Sequence, residues 1–121
     1  HVLEAALAIA CDIHPLNNLR VLRYLKNELG QDQGAIDGWS PDWVTLGFEV
    51  LEKPPARSEG AYMFGDVPTL ADVCLVPQMY NARRVGVQLG PFPNLVRVDA
   101  ALNKLSAFQN ARPEAQPDAP A

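Results

Sequence analysis

The chain has 121 residues, of which 48% are hydrophobic and 20% charged, and its formal net charge is -4. These values are typical of one compact domain and argue against a disordered, collagen-like or disulfide-stapled chain. The acidic balance argues against nonspecific nucleic-acid binding, and no apolar run reaches the ~20 residues that a membrane-spanning helix needs.

The first thirty residues are predicted to be helical, because two apolar stripes recur at three- and four-residue steps. The stripes consist of Leu3, Leu7, Ala10 and Ile13, then Leu16, Leu19, Leu22, Leu25 and Leu29. Pro15 separates them, since it lacks an N–H and disfavours helical geometry at His14. The pattern predicts either one kinked helix or two helices that meet between Asp12 and Pro15.

The middle of the chain is predicted to contain a loop, a helix and an irregular connection. Residues 31–38 are polar and include two glycines, which favours a loop. A helix is predicted over residues 43–52, ended by the prolines that follow Lys53. Its core-facing residues are expected to be Trp43, Leu46, Gly47 and Val50. Residues 56–65 are predicted to be irregular.

The clearest local signal is Thr69 followed three residues later by Asp72, which predicts a capping box at a helix N-terminus. This helix should stop near Gly86, and another is predicted over residues 95–105, with a short turn around Phe108. No segment alternates with period two. The sequence therefore predicts an all-α fold of about five helices, with residues 1–111 as the helical domain and 112–121 as an extended tail.

The sequence carries no P-loop, GxGxxG, HExxH or GxSxG motif. Its two histidines are His1 and His14, and Cys11 and Cys74 form no CxxC pair, so no metal-ligand set is predicted. Both cysteines fall in apolar stripes. We expect reduced, buried packing residues of a cytoplasmic protein rather than nucleophiles.

Two polar clusters could carry chemistry, one at residues 14–20 and one at residues 80–84. If a regular helix spans the first cluster, Asn18 shares a face with His14, and Arg20 lies about 200° around from Asn18. The alternative is structural: His14 and Asn18 would satisfy backbone groups freed by Pro15. Arginines near a helix C-terminus also favour the macrodipole and are commonly solvated.

The run CDIHPLNNLRVL at residues 11–22 resembles the zeta class of glutathione transferases, which includes maleylacetoacetate and maleylpyruvate isomerases. Further similar runs are GDVPTLAD at 65–72, LVPQ at 75–78, YNARR at 80–84, and AFQNA at 107–111 followed by QPD at 116–118. The resemblance covers nearly the whole chain, from residue 9 onward. It implies the all-helical C-terminal domain of that family.

The resemblance also implies a role for each cluster. Arg20 and Arg84 are the candidates for binding the two carboxylates of a dicarboxylate substrate. His14 and Asn18 are expected to contact glutathione, reaching across the interface of a homodimer, while Arg83 is expected to be solvated. Thr69 and Asp72 would form a structural cap.

The family's thioredoxin-like domain, which supplies the thiolate-stabilising serine or cysteine, has no counterpart in this sequence. The chain also starts with His1 inside an apolar periodic segment. We therefore expect a fragment that holds no catalytic residue, is inactive alone, and belongs to a glutathione-dependent cis–trans isomerase of aromatic catabolism. The alternatives are a glutathione transferase that conjugates electrophiles and a non-enzymatic interaction module.

Overall fold

The computed structural model describes residues 1–53 and 60–119, and within them the chain is helical and contains no β-strand. The helices are α1 (Val2–Leu7), a π-helical segment (Ala8–Ile13), α2 (His14–Leu16), α3 (Leu19–Asn27), α4 (Gln33–Glu52), α5 (Leu70–Arg84), α6 (Pro93–Leu102) and α7 (Ser106–Asn110). Val2 to Leu16 forms one continuous helical run, so the described part has five helices of nine residues or more. The predicted fold class is confirmed.

The break in the N-terminal helical region lies after Pro15, not between Asp12 and Pro15 as predicted. The π-helical segment leads directly into α2, so the backbone stays helical through His14 and Pro15. The helix then ends at Asn17, and Asn18 takes an extended conformation as the N-cap of α3. Because α2 ends before Asn18, the expected shared face of His14 and Asn18 on one regular helix is wrong.

The apolar stripes predicted for this region are also only partly buried. Ile13 is buried, but Leu3 and Leu7 are 60% and 46% exposed, and α1 instead buries its alanines, Ala5 and Ala6. No residue of α3 is buried. The apolar residues recur at helical spacing, but the described part of the chain buries only some of them.

Helix α4 begins ten residues before the predicted start, so the loop expected at residues 31–38 is wrong. The Asp32 carboxylate caps the helix by accepting the Ala35 N–H at 2.9 Å, and Pro41 is accommodated inside it. The buried face consists of Ser40, Val44, Phe48 and Leu51. The expected stripe of Trp43, Leu46 and Val50 lies to one side of that face and is exposed. Gly47 does face the core, directly against Ile13.

Helix α5 has the predicted capping box and forms the centre of the domain, packed against α1 and α6. Asp72 is fully buried, and one of its carboxylate oxygens accepts the backbone N–H and the hydroxyl of Thr69, each at 2.8 Å. Its other oxygen accepts the Met63 N–H at 2.9 Å. The predicted structural cap therefore also fixes the segment before the helix.

Helix α6 begins and ends at side chains that satisfy its free backbone groups. The Glu52 carboxylate, at the end of α4, accepts the N–H groups of Asn94 and Leu95 at 3.1 Å each. The helix stops at Leu102, three residues before the predicted end, where the Asn103 amide donates back to the Asp99 carbonyl at 2.8 Å. The expected short turn near Phe108 is α7.

The segment predicted as an extended tail, residues 112–121, contains a 3-10 turn at Pro113–Ala115. Within this segment Arg112 donates to the Asn103 amide oxygen at 3.0 Å, and Glu114 accepts the Tyr80 hydroxyl at 2.8 Å. Residues 120 and 121 lie outside the described part, as do residues 54–59, where the irregular connection was expected to begin. No helix of the described residues is long and apolar enough to cross a membrane.

Candidate functional site

His14 and Asn18 flank the break between α2 and α3, and both side chains are exposed. Both asparagines at this break satisfy backbone groups, and the Asn17 amide donates to the Ile13 carbonyl at 3.0 Å. Asn18 accepts the Arg20 N–H at 3.0 Å through its side-chain oxygen. Its NH2 group donates to no other described residue, so it remains available to a ligand.

Arg20 lies in the first turn of α3 with its guanidinium exposed. The positive end of a helix macrodipole disfavours a cation there by a few tenths of a kcal/mol, so the macrodipole does not account for an arginine at this position. Within residues 1–53 and 60–119 its side chain has no hydrogen-bond or ion-pair partner. Its positive charge is therefore available for an anion.

The two arginines that end α5 have different surroundings. Arg83 donates to the Asp99 carboxylate at 2.6 Å, and Asp99 is only 3% exposed. The expectation that Arg83 is solvated is confirmed only in part, because its side chain is about half exposed but is also ion-paired with Asp99. Arg84 is exposed and donates to the neutral Asn81 amide oxygen at 2.6 Å.

A groove of about 970 Å³ lies between α5, α6, α7 and the 3-10 turn. Its lining combines apolar residues, including Val73, Val76, Pro77 and Phe108, with polar ones, including Tyr80, Arg83, Asn103, Arg112 and Glu114. Neither Arg20 nor Arg84 lines it. Sequence reasoning missed this groove because Tyr80 and Glu114 are far apart in the chain and nothing in either local pattern pairs them.

Arg84 lies one helical turn beyond Tyr80 on the same face of α5, near enough for its charge to act on the Tyr80 hydroxyl. The hydrogen bond from Tyr80 to Glu114, and the negative charge of that carboxylate, raise the pKa of Tyr80, and the nearby Arg84 cation opposes this shift. The same hydrogen bond contributes to holding the pKa of Glu114 below its usual range, after the effect of its own backbone N–H. The Tyr80 side of the groove therefore carries an ionised carboxylate, that of Glu114, at neutral pH.

Arg20 and Arg84 lie on helices with different neighbours, because α3 packs against α4 whereas α5 packs against α1 and α6. Their convergence on one substrate stays a prediction. Of the cysteines, Cys74 is partly buried, but Cys11 is exposed, contrary to expectation. Burial, and to a smaller extent Cys11, raises the pKa of the Cys74 thiol, which disfavours the nucleophilic thiolate.

No protein-family model matches the chain. It is 49% identical over 115 residues to a maleylpyruvate isomerase of Ralstonia sp, a match that covers 93% of this chain and 54% of the relative. The chain thus spans about half the length of the curated relatives it matches.

Solved structures give the same picture. A holo structure of maleylpyruvate isomerase, described as a bacterial zeta-class glutathione S-transferase, superposes with a TM-score of 0.90 at 47% identity, covering 98% of this chain and 57% of that one. A maleylacetoacetate isomerase from Anaeromyxobacter dehalogenans, with bound dicarboxyethyl glutathione and citrate, has a TM-score of 0.91 at 41% identity, covering 99% and 54%. The chain therefore belongs to the zeta-class glutathione transferases and corresponds to the C-terminal helical part of those proteins.

Proposed function

We propose that the intact protein is a glutathione-dependent cis–trans isomerase of a dicarboxylate such as maleylacetoacetate or maleylpyruvate. The observation that carries the proposal is the 49% identity to a maleylpyruvate isomerase across 93% of the chain. The dicarboxyethyl glutathione and citrate bound to the Anaeromyxobacter relative support a site for carboxylates next to glutathione. Aromatic catabolism is the setting that these substrates imply.

In this proposal Arg20 and Arg84 bind the substrate carboxylates. A guanidinium stays charged at all physiological pH values and presents paired N–H donors that match a carboxylate. Both arginines are exposed, and among the described residues no carboxylate lies within ion-pair distance of either guanidinium. Fixed positive charge would also stabilise the negative charge that develops along a conjugated substrate during isomerisation.

The residues at the α2–α3 break fit glutathione, which is rich in carboxylate and carbonyl acceptors. The Asn18 NH2 group and the His14 imidazole are exposed donors on either side of this break. Glutathione, when bound, supplies a thiol whose reversible addition to a cis double bond allows rotation about that bond. His14 and Asn18 would orient it, and no catalytic residue is assigned to this chain.

We further propose that the intact protein is a cytoplasmic homodimer in which His14 and Asn18 reach glutathione at the interface. The family resemblance supports this assembly. The exposed apolar residues Trp43, Leu46 and Val50 of α4 support it as well, because single-face apolar stripes of this kind commonly mark interfaces.

The test is steady-state isomerisation of maleylpyruvate and maleylacetoacetate by the intact protein. Arg20→Ala and Arg84→Ala should each lower kcat/KM by about tenfold to a hundredfold, as expected for a lost charged hydrogen bond of about 1.5–3 kcal/mol. Arg23→Ala is the matched control, since Arg23 is exposed on α3 without an assigned role. Unchanged kinetics in both single variants would refute the assignment of the arginines.

Glutathione recovery separates the proposed reaction from conjugation. An isomerase regenerates glutathione, whereas a conjugating transferase consumes it in proportion to product. Isomerisation by residues 1–121 alone would contradict the expectation that this part needs the rest of the protein, and an intact protein with neither activity would indicate an interaction module.

A further inference from the structure

The two arginines at the end of α5 are adjacent in sequence but differ in what holds them. Arg83 pairs with a carboxylate, that of buried Asp99, at 2.6 Å. Arg84 is held at the same distance by an amide oxygen, that of Asn81, one turn earlier on the same helix. The charge of Arg83 is therefore neutralised by its partner, whereas Arg84 is held in one orientation and keeps its charge.

This difference matters for binding an anion. A carboxylate partner cancels the charge of a guanidinium, so a second carboxylate gains little by approaching it. An amide oxygen accepts one of the five guanidinium N–H groups and leaves the net charge and the other donors free. A side chain already held in place also loses less conformational entropy when a ligand binds.

We propose that Asn81 is a positioning residue, which holds the Arg84 guanidinium in its binding orientation without neutralising it. The inference rests on the proposed function, since it gives Arg84 a carboxylate to bind. Helix propensity does not explain Asn81, because asparagine is a poor helix former and this one lies inside α5. Its side chain has one hydrogen bond among the described residues, and that bond is to Arg84.

The decisive comparison is between Asn81→Asp and Asn81→Leu in the intact protein. Aspartate keeps the shape and the acceptor oxygen but adds a charge that neutralises Arg84, whereas leucine removes the acceptor and leaves the charge. We expect Asn81→Asp to raise KM about tenfold and Asn81→Leu about twofold to fivefold, with a smaller change in kcat than in KM in both. Asn27→Asp, at the exposed end of α3, controls for the added charge and should leave KM unchanged.

A purely structural role gives the opposite order. Aspartate would then replace asparagine with little effect, because the hydrogen bond and the side-chain volume are retained, and leucine would be the worse variant. Equal KM values for the wild type and Asn81→Asp, or a larger rise in Asn81→Leu, would overturn the proposal.

A binding measurement separates this inference from the proposed function. Isothermal titration with maleate needs no turnover, and Asn81→Asp should bind maleate at least threefold more weakly than Asn81→Leu. A wild type that isomerises neither substrate refutes the proposed function, while the order of the two maleate affinities still decides the role of Asn81. A wild type that binds no maleate at millimolar concentration would overturn both.

Discussion

Neighbouring asparagines at the α2–α3 break have different roles, and only their surroundings distinguish them. Asn17 donates to the Ile13 carbonyl, which has lost its helical partner, and is therefore structural. Asn18 caps α3 with its oxygen and presents its NH2 group outward. Asn18 therefore has a structural role through its oxygen, as the N-cap of α3, and only its NH2 group is left for a ligand.

Asp72 is the single side chain on which most of the local structure around α5 depends. It is fully buried and accepts three hydrogen bonds, from the Met63 N–H and from the N–H and hydroxyl of Thr69. Asp72→Ala should therefore lower the free energy of unfolding by about 2–4 kcal/mol, because buried donors lose their acceptor along with the cap.

Urea denaturation of the intact protein measures this loss, with Asp42→Ala as the control. Asp42 is exposed on α4 and makes no hydrogen bond among the described residues, so its removal should change the free energy of unfolding by less than about 0.5 kcal/mol. Equal unfolding midpoints for the two variants would show that the Asp72 contacts contribute nothing net.

Among the elements, α5 was predictable from sequence and α4 was not. The Thr69–Asp72 spacing is a local signal, and the helix begins where that signal places it. Helix α4 begins at Gln33, where Asp32 caps it. The sequence there favours a loop instead, because it contains glycines at 34 and 38 and Pro41. Packing against α3, α6 and the π-helical segment outweighs these weak local preferences, and sequence periodicity does not report such packing.

Two glycines of α4 have opposite environments and give a prediction about this packing. A Cβ on Gly47 would overlap the Ile13 side chain, whereas a Cβ on Gly38 would meet no atom within 4 Å. Gly47→Ala should destabilise the fold by about 1–3 kcal/mol through overpacking at the contact between α4 and the π-helical segment. Gly38→Ala should stabilise it by about 0.5–1 kcal/mol through helix propensity.

Thermal unfolding of the two variants tests this expectation, since helix propensity alone predicts the same gain at both positions. A double variant, Gly47→Ala with Ile13→Ala, should recover part of the loss, because the shortened side chain makes room for the new methyl group. Two alanines that stabilise equally would mean that α4 does not approach Ile13 as closely as described.

At the scale of the whole molecule, the sequence predicted the fold class and the family but not which apolar faces are covered. Trp43, Leu46 and Val50 form a helical stripe and were expected in the core, yet the buried face of α4 lies beside them. Periodicity shows that a face is apolar and says nothing about its partner. For the same reason, helical periodicity does not report whether Arg20 and Arg84 converge, since their helices pack against different neighbours.

The exposed stripe on α4 gives a prediction about assembly. Leu46 and Val50 are 53% and 62% exposed and lie one turn apart. Leaving this apolar surface in contact with water is unfavourable compared with burying it against a partner. If a second copy of the protein covers this face, Leu46→Glu with Val50→Glu should bury two unpaired charges at the interface and convert a dimer into monomers. Sedimentation equilibrium of the intact protein measures the change.

The control places a charge change on the polar side of the same helix. Glu49→Lys reverses the charge of an exposed neighbour of Val50 and should leave the assembly intact. If the double variant remains dimeric but unfolds at a lower temperature, the stripe packs against another part of the same chain. The homodimer proposal would then have to place its interface elsewhere, and the contribution of His14 and Asn18 across that interface would lose its main structural support.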